Sequence, residues 1–592
     1  MIFGCLNEVS NIVKFIRRSH ADDSFLNDRV SDPVIRQILA SRGIKTVSEL
    51  DCELKDLLHY KTLLNIGRAA ELIADAIQQG TRILVAGDYD VDGVTGTVIG
   101  VKALKALGAS AVDYFVPSRY DEGYGLSVKA VMNALSAGTG LILTVDNGIS
   151  CLEPVNLAVK HGLKVVVTDH HESEGELPRA DAVVDPKLPG DQFPSKSLCG
   201  AGVLFYVLAA VRAELRSRGF YPEGQVPMLS PFLDLVALGT IGDVMDLDVN
   251  NRRLIKAGIT IMREGRAQPG IMALARRINL DLGNVFAHNL AFELCPRINA
   301  AGRIPTIDEA GNIMTHDINP AVRLLLTDSP DEAAELADRL FNLNLRRGDH
   351  ERVAVDEATE DALAHQGASA ITLYRPYWLV GIVGLVAGRI KDKFQVPVFV
   401  FAGEGSLISG SARSVPGFPM ADILQHISEQ HPGLLVRFGG HAMAAGATIR
   451  RDRLEEFRDC FNAAAKDNCR TPKEHEVITD GVLSPERMNL EFLRALEQVG
   501  PWGNGFPVPV FEEEFVIRTL RRVKHGHLKL SLYDPRGRQL EAMRFWPVEA
   551  DLQLAPGSRI RAAYSLGVDR YRGEETLELK IIAMQKLQDS PA

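Results

Sequence analysis

Between residues 83 and 186 one grammar repeats: a short apolar, β-branched run ending in polar residues, then a helical pattern. The runs are "RILVAGDYD", "VDYFVP", "LILTVDNG", "KVVVTDHH" and "AVVDP", with "GTVIGVKALKALG" and "EPVNLAVKHG" among the stretches between them. Strands that alternate with helices imply a parallel sheet carrying helices on its faces. Such a sheet takes its ligands at the carboxyl ends of its strands. Asp88, Asp90 and Asp92, then Asp146, then Asp169-His170-His171 all fall at such ends. Three segments distant in sequence are therefore expected to meet in one crevice.

The most acidic of these ends, "GDYDVDGVTG" (87–96), places three aspartates at alternate positions before Gly93. From Asp88 it matches the opening of a calcium-binding EF-hand loop, D-x-D-x-D-G. That loop needs a bidentate glutamate at its twelfth position, where this chain has Ile99. Val94 and Gly96 stand at the seventh and ninth positions, within an apolar, helix-like run. "RILVAG" before Asp88 reads as a buried strand, not a helix. A solvated acidic turn fits no better between a strand and a helix. What remains is a metal or catalytic site at a strand end.

Composition narrows the class. The 592 residues are 46% hydrophobic and 24% charged, ordinary for a globular protein in water. At roughly 150 residues per domain the chain holds three to five domains. No run approaches about 18 apolar residues, so no transmembrane helix is expected. "MIFGCLNEVSNIVKFIRRSH" at the start mixes charge into its apolar positions and does not read as a signal peptide. The seven cysteines are scattered and form no CxxC pair, which argues against structural zinc and a disulfide framework and for the cytoplasm. A net charge of −10 argues against a surface coated for non-specific nucleic-acid binding. Residues 252–303 nevertheless hold nine Lys/Arg against three acids, a cationic segment in an anionic protein.

Further along, 203–218 and 229–245 read as apolar helices, and 320–365 reads as a long, charged connecting helix. A second α/β unit begins near 368 with "SAITLY", "GIVGLVAGRIKDKF", "VPVFVF" and the glycine-rich "RFGGHAMAAGATI". After "DNCRTPKEHE" the pattern turns all-β, with short alternating strands that suggest a small barrel such as an OB-fold. The expected organisation is an N-terminal region (1–60), a metal-binding parallel-sheet domain (61–265), a basic segment with a connecting helix (266–365), a second α/β domain (366–470) and an OB-fold-like barrel (471–592).

Carboxylates and an imidazole suit hard or borderline divalent ions. The candidate ligands are Asp88, Asp90, Asp92, Asp146, His170 and Asp243, the last lying after an apolar run in "ALGTIGDV". Five or six such groups are too many for one metal with an open position and suit two metals bridged by a carboxylate. Two ions about 3.5–4 Å apart can hold both the attacking and the leaving oxygen of an in-line phosphoryl displacement. Water would be the nucleophile, and a phosphoanhydride or phosphodiester the substrate.

"GDYDVDG", "VDNGIS", "TDHHE" and "GTIGDV", in this order and spacing, resemble the metal-site motifs of the DHH phosphoesterases. "FELCPRINAAGRI", "WLVGIVGLVAGRI", "RFGGHAMAAG" and "PWGNGFPVPVF" narrow the resemblance to the RecJ-type exonucleases, over about residues 25–585. The resemblance implies a DHH domain, a DHHA1 domain and an OB-fold-like barrel. It implies 5′→3′ hydrolysis of single-stranded DNA in recombination and repair, with two manganese or magnesium ions (Mn2+ or Mg2+). Asp88 and Asp90 would hold the first metal, Asp92, His170 and Asp243 the second, and Asp146 would bridge them. His171 would face the scissile phosphate while Asp169 orients the adjacent histidine. His441 would contact substrate phosphate, with Gly439 and Gly440 allowing close backbone approach, and Arg297, Arg303 and Arg413 would add phosphate contacts. The barrel would hold single strands by stacking and charge. A RecQ-type helicase and a single-strand-binding protein are the partners that this family suggests, and a monomer is expected.

Two positions depart from the pattern. The family's W-H-x-G is here Trp378-Leu379-Val380-Gly381, which puts one polar contact of the second domain in doubt. "VVDP" (183–186) has Asp185 where asparagine is common. Two other readings compete: a shorter-chain relative acting on pyrophosphate, very short RNA or cyclic dinucleotides, which would lack the barrel, and a non-catalytic single-strand binder, which would have lost metal ligands.

Overall fold

Five short strands build the first sheet: β1 (Ile83–Ala86), β2 (Val112–Phe115), β3 (Leu141–Val145), β4 (Lys164–Thr168) and β5 (Ala182–Val184). They lie in the order β2-β1-β3-β4-β5, and every neighbouring pair is parallel. The residues of β1 and β3 are buried throughout, because a parallel sheet is covered on both faces; hence the unbroken apolar runs in the sequence. Helix α1 (Val91–Ala106) starts directly after β1, and packs against α2 (Gly200–Ser217) and α3 (Leu233–Gly242). All three are short of polar surface: α3 is buried from Leu233 to Ile241.

The computed structural model describes residues 13–587 apart from 52, 120–122, 174, 308–312, 316–317, 366, 469–474 and 570–573. These residues form two units, one of 52–469 with 503–505, the other of the residues up to 51, 470–502 and those from 506 on.

Within the first unit the expected connecting helix is a short helix, Asn319–Leu326, followed by α4 (Pro330–Leu363), which runs for 34 residues, or about 50 Å. Ser329 caps α4 and Pro330 opens it, where the missing N–H costs nothing. Beyond α4 lies a second five-stranded sheet: β6 (Ile371–Arg375), β7 (Val398–Ala402), β8 (Leu407–Arg413), β9 (Leu435–Gly440) and β10 (Ala444–Arg450), in the order β9-β10-β8-β7-β6. Only β6 and β7 are parallel; helix α5 (Val383–Phe394) connects them. Phe399 and Phe401 stack at 4.5 Å beneath Phe457 and Phe461 to form this half's core. Trp378, just past β6, donates from its indole N–H to Glu357 of α4 at 2.7 Å, a half-buried polar contact that ties the long helix to the second α/β half.

In the other unit, β11 (Phe511–Arg522), β12 (Leu528–Tyr533), β13 (Gln539–Arg544), β14 (Arg559–Asp569) and β15 (Thr576–Lys586) close into a barrel, with β11 bonded to both β12 and β14. Phe511, Phe515 and Tyr564 fill it. The strand Val13–Arg17 pairs in parallel with His475–Thr479, and Arg42 grips Asp480 with two hydrogen bonds of 2.8 Å. The start of the chain thus folds with its end, a pairing across more than four hundred residues that no local pattern encodes. Among the described residues no helix is long and apolar enough to cross a membrane.

Candidate metal centre

The first acidic segment is shaped by the start of α1. Asp90 caps this helix, its Oδ1 accepting from the backbone N–H of Asp92 (3.0 Å) and Gly93 (3.1 Å); the helix begins at Val91, inside what would be the twelve-residue loop, and so rules out an EF-hand. A Cβ on Gly93 would lie 2.4 Å from the Asp88 carbonyl oxygen, so only glycine lets α1 begin this close to β1. Asp88 accepts from the Gly125 N–H at 3.2 Å. Asp92 is wholly buried and accepts from the first N–H groups of α2, Gly200 at 2.6 Å and Ala201 at 3.0 Å. The positive end of α2 thereby steadies a carboxylate that burial disfavours.

The other donors arrive from strand and helix ends. Asp146 follows β3 with φ 61, a left-handed state that aspartate tolerates better than most residues. After β4, Asp169 accepts from the N–H of Ile149 (2.9 Å) and His170 (2.8 Å) and lies 2.7 Å from His171 Nδ1. Its carboxylate is spent on bracing the turn that presents both histidines. Asp243 caps the end of α3. The following Val244 has φ 57 and is 66% exposed, a strained state for a β-branched residue, and its carbonyl accepts from Asn504 Nδ2 at 3.1 Å.

His170 Nε2 lies 3.0 Å from Asp146, 3.5 Å from Asp243 and 3.8 Å from Asp92. The possible ligand atoms of Asp88, Asp90 and Asp146 lie within 4.8 Å of one another, as do those of Asp92, His170 and Asp243, and those of Asp146, His170 and His171. Asp146 thus stands between the two acidic groups. Burial, reinforced by the neighbouring carboxylates, pushes Asp92 to about 6 and Asp243 to about 8. Asp88 and Asp146 are also held well above the usual carboxylate range by burial and by their acidic neighbours. Burial, with the charge of His171, lowers His170 to about 3. Buried carboxylates crowded around a neutral imidazole repel one another until a cation joins them. The oxygen-rich donor set with one nitrogen fits two divalent ions of the manganese or magnesium kind.

His171 is different. Burial pulls it down, but the hydrogen bond and charge of Asp169, with Asp243 and Asp92 beyond, raise it to about 9. Its ring stacks parallel to that of His441 at 6.1 Å and 8°, so the second α/β half reaches the metal-binding half here. Leu379, in place of the family's histidine, lies in the turn whose Gly381 carbonyl accepts from Arg303 at 3.1 Å.

The structure divides the expected phosphate contacts. Arg303 is brought down to about 9, chiefly by burial and then by Arg119 and Arg347, with Arg413 adding to the repulsion. Arg413 is lowered by burial and by Arg119, and Arg119 stands over the Tyr89 ring at 4.0 Å. Arg119, Arg347 and Arg413 thus disfavour the charge of Arg303 while Asp90 favours it, and Arg347 pairs with Glu351 at 2.5 Å. Arg119 and Arg347 escaped the sequence reading because neither lies in a strand-end motif. Arg297 instead donates to the Glu293 carbonyl within its own helix. Gly439 faces open space, and a Cβ on Gly440 would meet Ala445 of β10 at 2.4 Å, so the close approach that Gly440 permits is to its own sheet.

Much of the 252–303 charge is spent internally. Arg252 is buried, Arg253 donates to the Asp56 carbonyl and Arg263 to that of Val285, while Arg266 and Arg277 pair with Glu264 and Asp338. Past the end of α3 a polar hollow of about 600 Å³ opens, lined by Glu172, Lys187, Asp191, Lys196, Asp246 and Asn504 among others. On the barrel, His527 meets Phe545 (5.1 Å) and Trp546 (4.7 Å) edge-on, near exposed Arg521, Arg522 and Lys524.

Comparison with known proteins places this architecture. The model of the DHH family N-terminal domain matches residues 82–240, and that of the DHHA1 domain matches 367–467; by fold the chain is of the DHH phosphoesterase class. The RecJ OB domain matches 479–583. The single-stranded-DNA-specific exonuclease RecJ of Escherichia coli (strain K12) is 38% identical over 585 residues, 96% of this chain and 98% of that protein. The crystal structure of RecJ in complex with Mn2+ from Thermus thermophilus superposes with a TM-score of 0.78 at 30% identity, covering 98% of this chain and 81% of that one; RecJ from the same organism has also been solved with Mg2+ (TM-score 0.73, 29% identity, 98% of this chain and 79% of that one). The chain belongs to the RecJ family.

Proposed function

We propose that this protein hydrolyses single-stranded DNA from its 5′ end in recombination and repair, using two manganese or magnesium ions held by its own acidic crevice. The observation that carries this reading is the convergence of Asp88, Asp90, Asp92, Asp146, His170 and Asp243 on one point, within 4.8 Å in two groups that share no residue. Asp88 and Asp90 are assigned to one ion, Asp92, His170 and Asp243 to the other, and Asp146 to both. When bound, such ions offset charge on the phosphate and strengthen water as a nucleophile.

The remaining side chains bind and orient. Asp169 holds the hydrogen on Nδ1 of His171, which leaves Nε2 for the scissile phosphate. His441, stacked on His171, contacts the same phosphate from the second half. Arg303 and Arg413, with Arg119 and Arg347, receive the strand's backbone charge. Arg297 supports them from its helix, and Gly439 leaves the strand room beside β9. The polar hollow past Asp243 gives the strand space on the other side. The labour divides along the chain: residues 61–265 for chemistry, 266–365 as the connection, 366–470 for substrate phosphate, and 471–592, with the N-terminal 1–60, for holding the strand.

An enzyme confined to single strands depends on others to expose them, so a RecQ-type helicase and a single-strand-binding protein are its proposed partners. The cytoplasm is its proposed place of action, in keeping with free thiols at Cys151, Cys199, Cys295 and Cys460. The test uses a linear oligonucleotide labelled at its 5′ end, and the same sequence closed into a circle, with and without Mn2+. Immediate release of labelled mononucleotide or very short product from the linear strand is expected, with the circle intact. Cutting of the circle would mean an endonuclease, and stepwise shortening of the 5′-labelled strand would mean the opposite polarity.

A further inference from the structure

Tyr124 lies outside the motifs that supply the metal ligands, yet its hydroxyl reaches into the centre. It donates to the main-chain oxygen of Asp146 at 2.8 Å and lies 3.1 Å from Nδ1 and 3.5 Å from Nε2 of His171. The next residue, Gly125, donates to Asp88, so this one turn touches both acidic segments. The ring meets His171 edge-on, 5.6 Å between centroids at 82°. The residue as a whole is 41% exposed.

A hydroxyl has one hydrogen to give. Here it goes to the Asp146 carbonyl, so toward His171 the phenol oxygen can only accept. Asp169, 2.7 Å from His171 Nδ1, can likewise only accept. Asp169 therefore holds the Nδ1 hydrogen, while the phenol oxygen, between the two ring nitrogens, contacts the imidazole without taking that hydrogen. Asp169 at Nδ1, Tyr124 beside the ring and His441 parallel to its face together restrict how the His171 imidazole can turn.

We propose that Tyr124 is a positioning residue for phosphodiester hydrolysis, its hydroxyl joining the turn that carries Asp146 to the His171 ring. The inference rests on the reading of this crevice as the site of single-strand hydrolysis. Tyr124→Phe removes only the hydroxyl. Single-turnover cleavage of a 5′-labelled oligonucleotide should slow by about 3–10-fold, the worth of one neutral hydrogen bond. KM and calorimetric Mn2+ affinity should change less than about twofold. In a His171→Ala background the same substitution should cost nothing further, because Tyr124 acts through that ring. An equal fractional loss in both backgrounds would overturn the inference, as would lost Mn2+ affinity, which would place the effect on Asp146. If the unaltered chain cuts the strand and Tyr124→Phe matches it, the positioning role alone fails. If the unaltered chain leaves the strand intact, the functional reading fails and takes this inference with it.

Discussion

Asp92 performs two tasks with one carboxylate. It accepts from Gly200 and Ala201 at the start of α2 and lies 3.8 Å from His170 Nε2. Replacing it by alanine would orphan two buried N–H groups, at about 1–3 kcal/mol each, so loss of activity and loss of fold would be mixed. Asp92→Asn keeps an acceptor and removes the charge; His170→Ala removes a ligand that braces nothing else. Both should lower turnover by about a hundredfold or more with circular dichroism unchanged, and near-normal turnover of either in excess Mn2+ would refute the two-ion assignment. The same crowding makes stability depend on pH. With folded-state values raised to about 6 at Asp92 and about 8 at Asp243, the folded metal-free protein keeps protons that the unfolded chain has released. Folding therefore loses stability as pH rises from the ordinary carboxylate range toward 8. A divalent ion favours the deprotonated form, so the Mn2+-induced rise in Tm over EDTA should be larger near pH 8 than near pH 6. Equal rises would mean that these acids titrate normally.

At the scale of elements, strand β9 and the turn after it carry His441 to within 6.1 Å of His171. No metal-ligand group includes His441 among the described residues. His441→Ala should weaken oligonucleotide binding by about tenfold while leaving the calorimetric Mn2+ titration unchanged; a lost metal site would place His441 among the ligands. On the barrel, Trp546 has φ 51 and is 47% exposed, against His527. A bulky residue held in the left-handed region and open to solvent is a feature of binding sites more than of cores, and exposed aromatics beside basic residues stack nucleobases. Trp546→Ala should raise Kd for single strands several-fold without altering cleavage once the strand is bound. Unchanged affinity would show that the cluster only packs the loop.

For the molecule as a whole, the −10 net charge and the ability to hold a polyanion are reconciled by location. Cations paired on the surface, such as Arg266 with Glu264 and Arg277 with Asp338, contribute little to a bound strand. Arg413, whose charge is disfavoured by burial and by Arg119, gains more from a phosphate. Binding should weaken with salt at about −0.7 in log–log slope per phosphate neutralised. Arg413→Ala should flatten that slope, and Arg266→Ala should leave it alone; the reverse result would return the substrate path to the basic segment.

The order of the strand-end acids was legible because each lies at the end of a local pattern: a strand's apolar run and the polar residue that stops it are neighbours in the chain. The two α/β halves and the barrel were legible for the same reason, since periods of two and of 3.6 residues are short-range. Which acids gather with which could not be read from the residues alone, because Asp146 stands between the two groups only through the order β2-β1-β3-β4-β5 and the approach of α2. Asp169 sits in the same motif as His170, yet packing spends it on backbone N–H groups. Arg297 and most of the basic segment look free in sequence and are bonded in the fold. The pairing of Val13–Arg17 with His475–Thr479, and the reach of Tyr124 to His171, join residues from separate elements. Such contacts depend on how the elements pack, which no local pattern records.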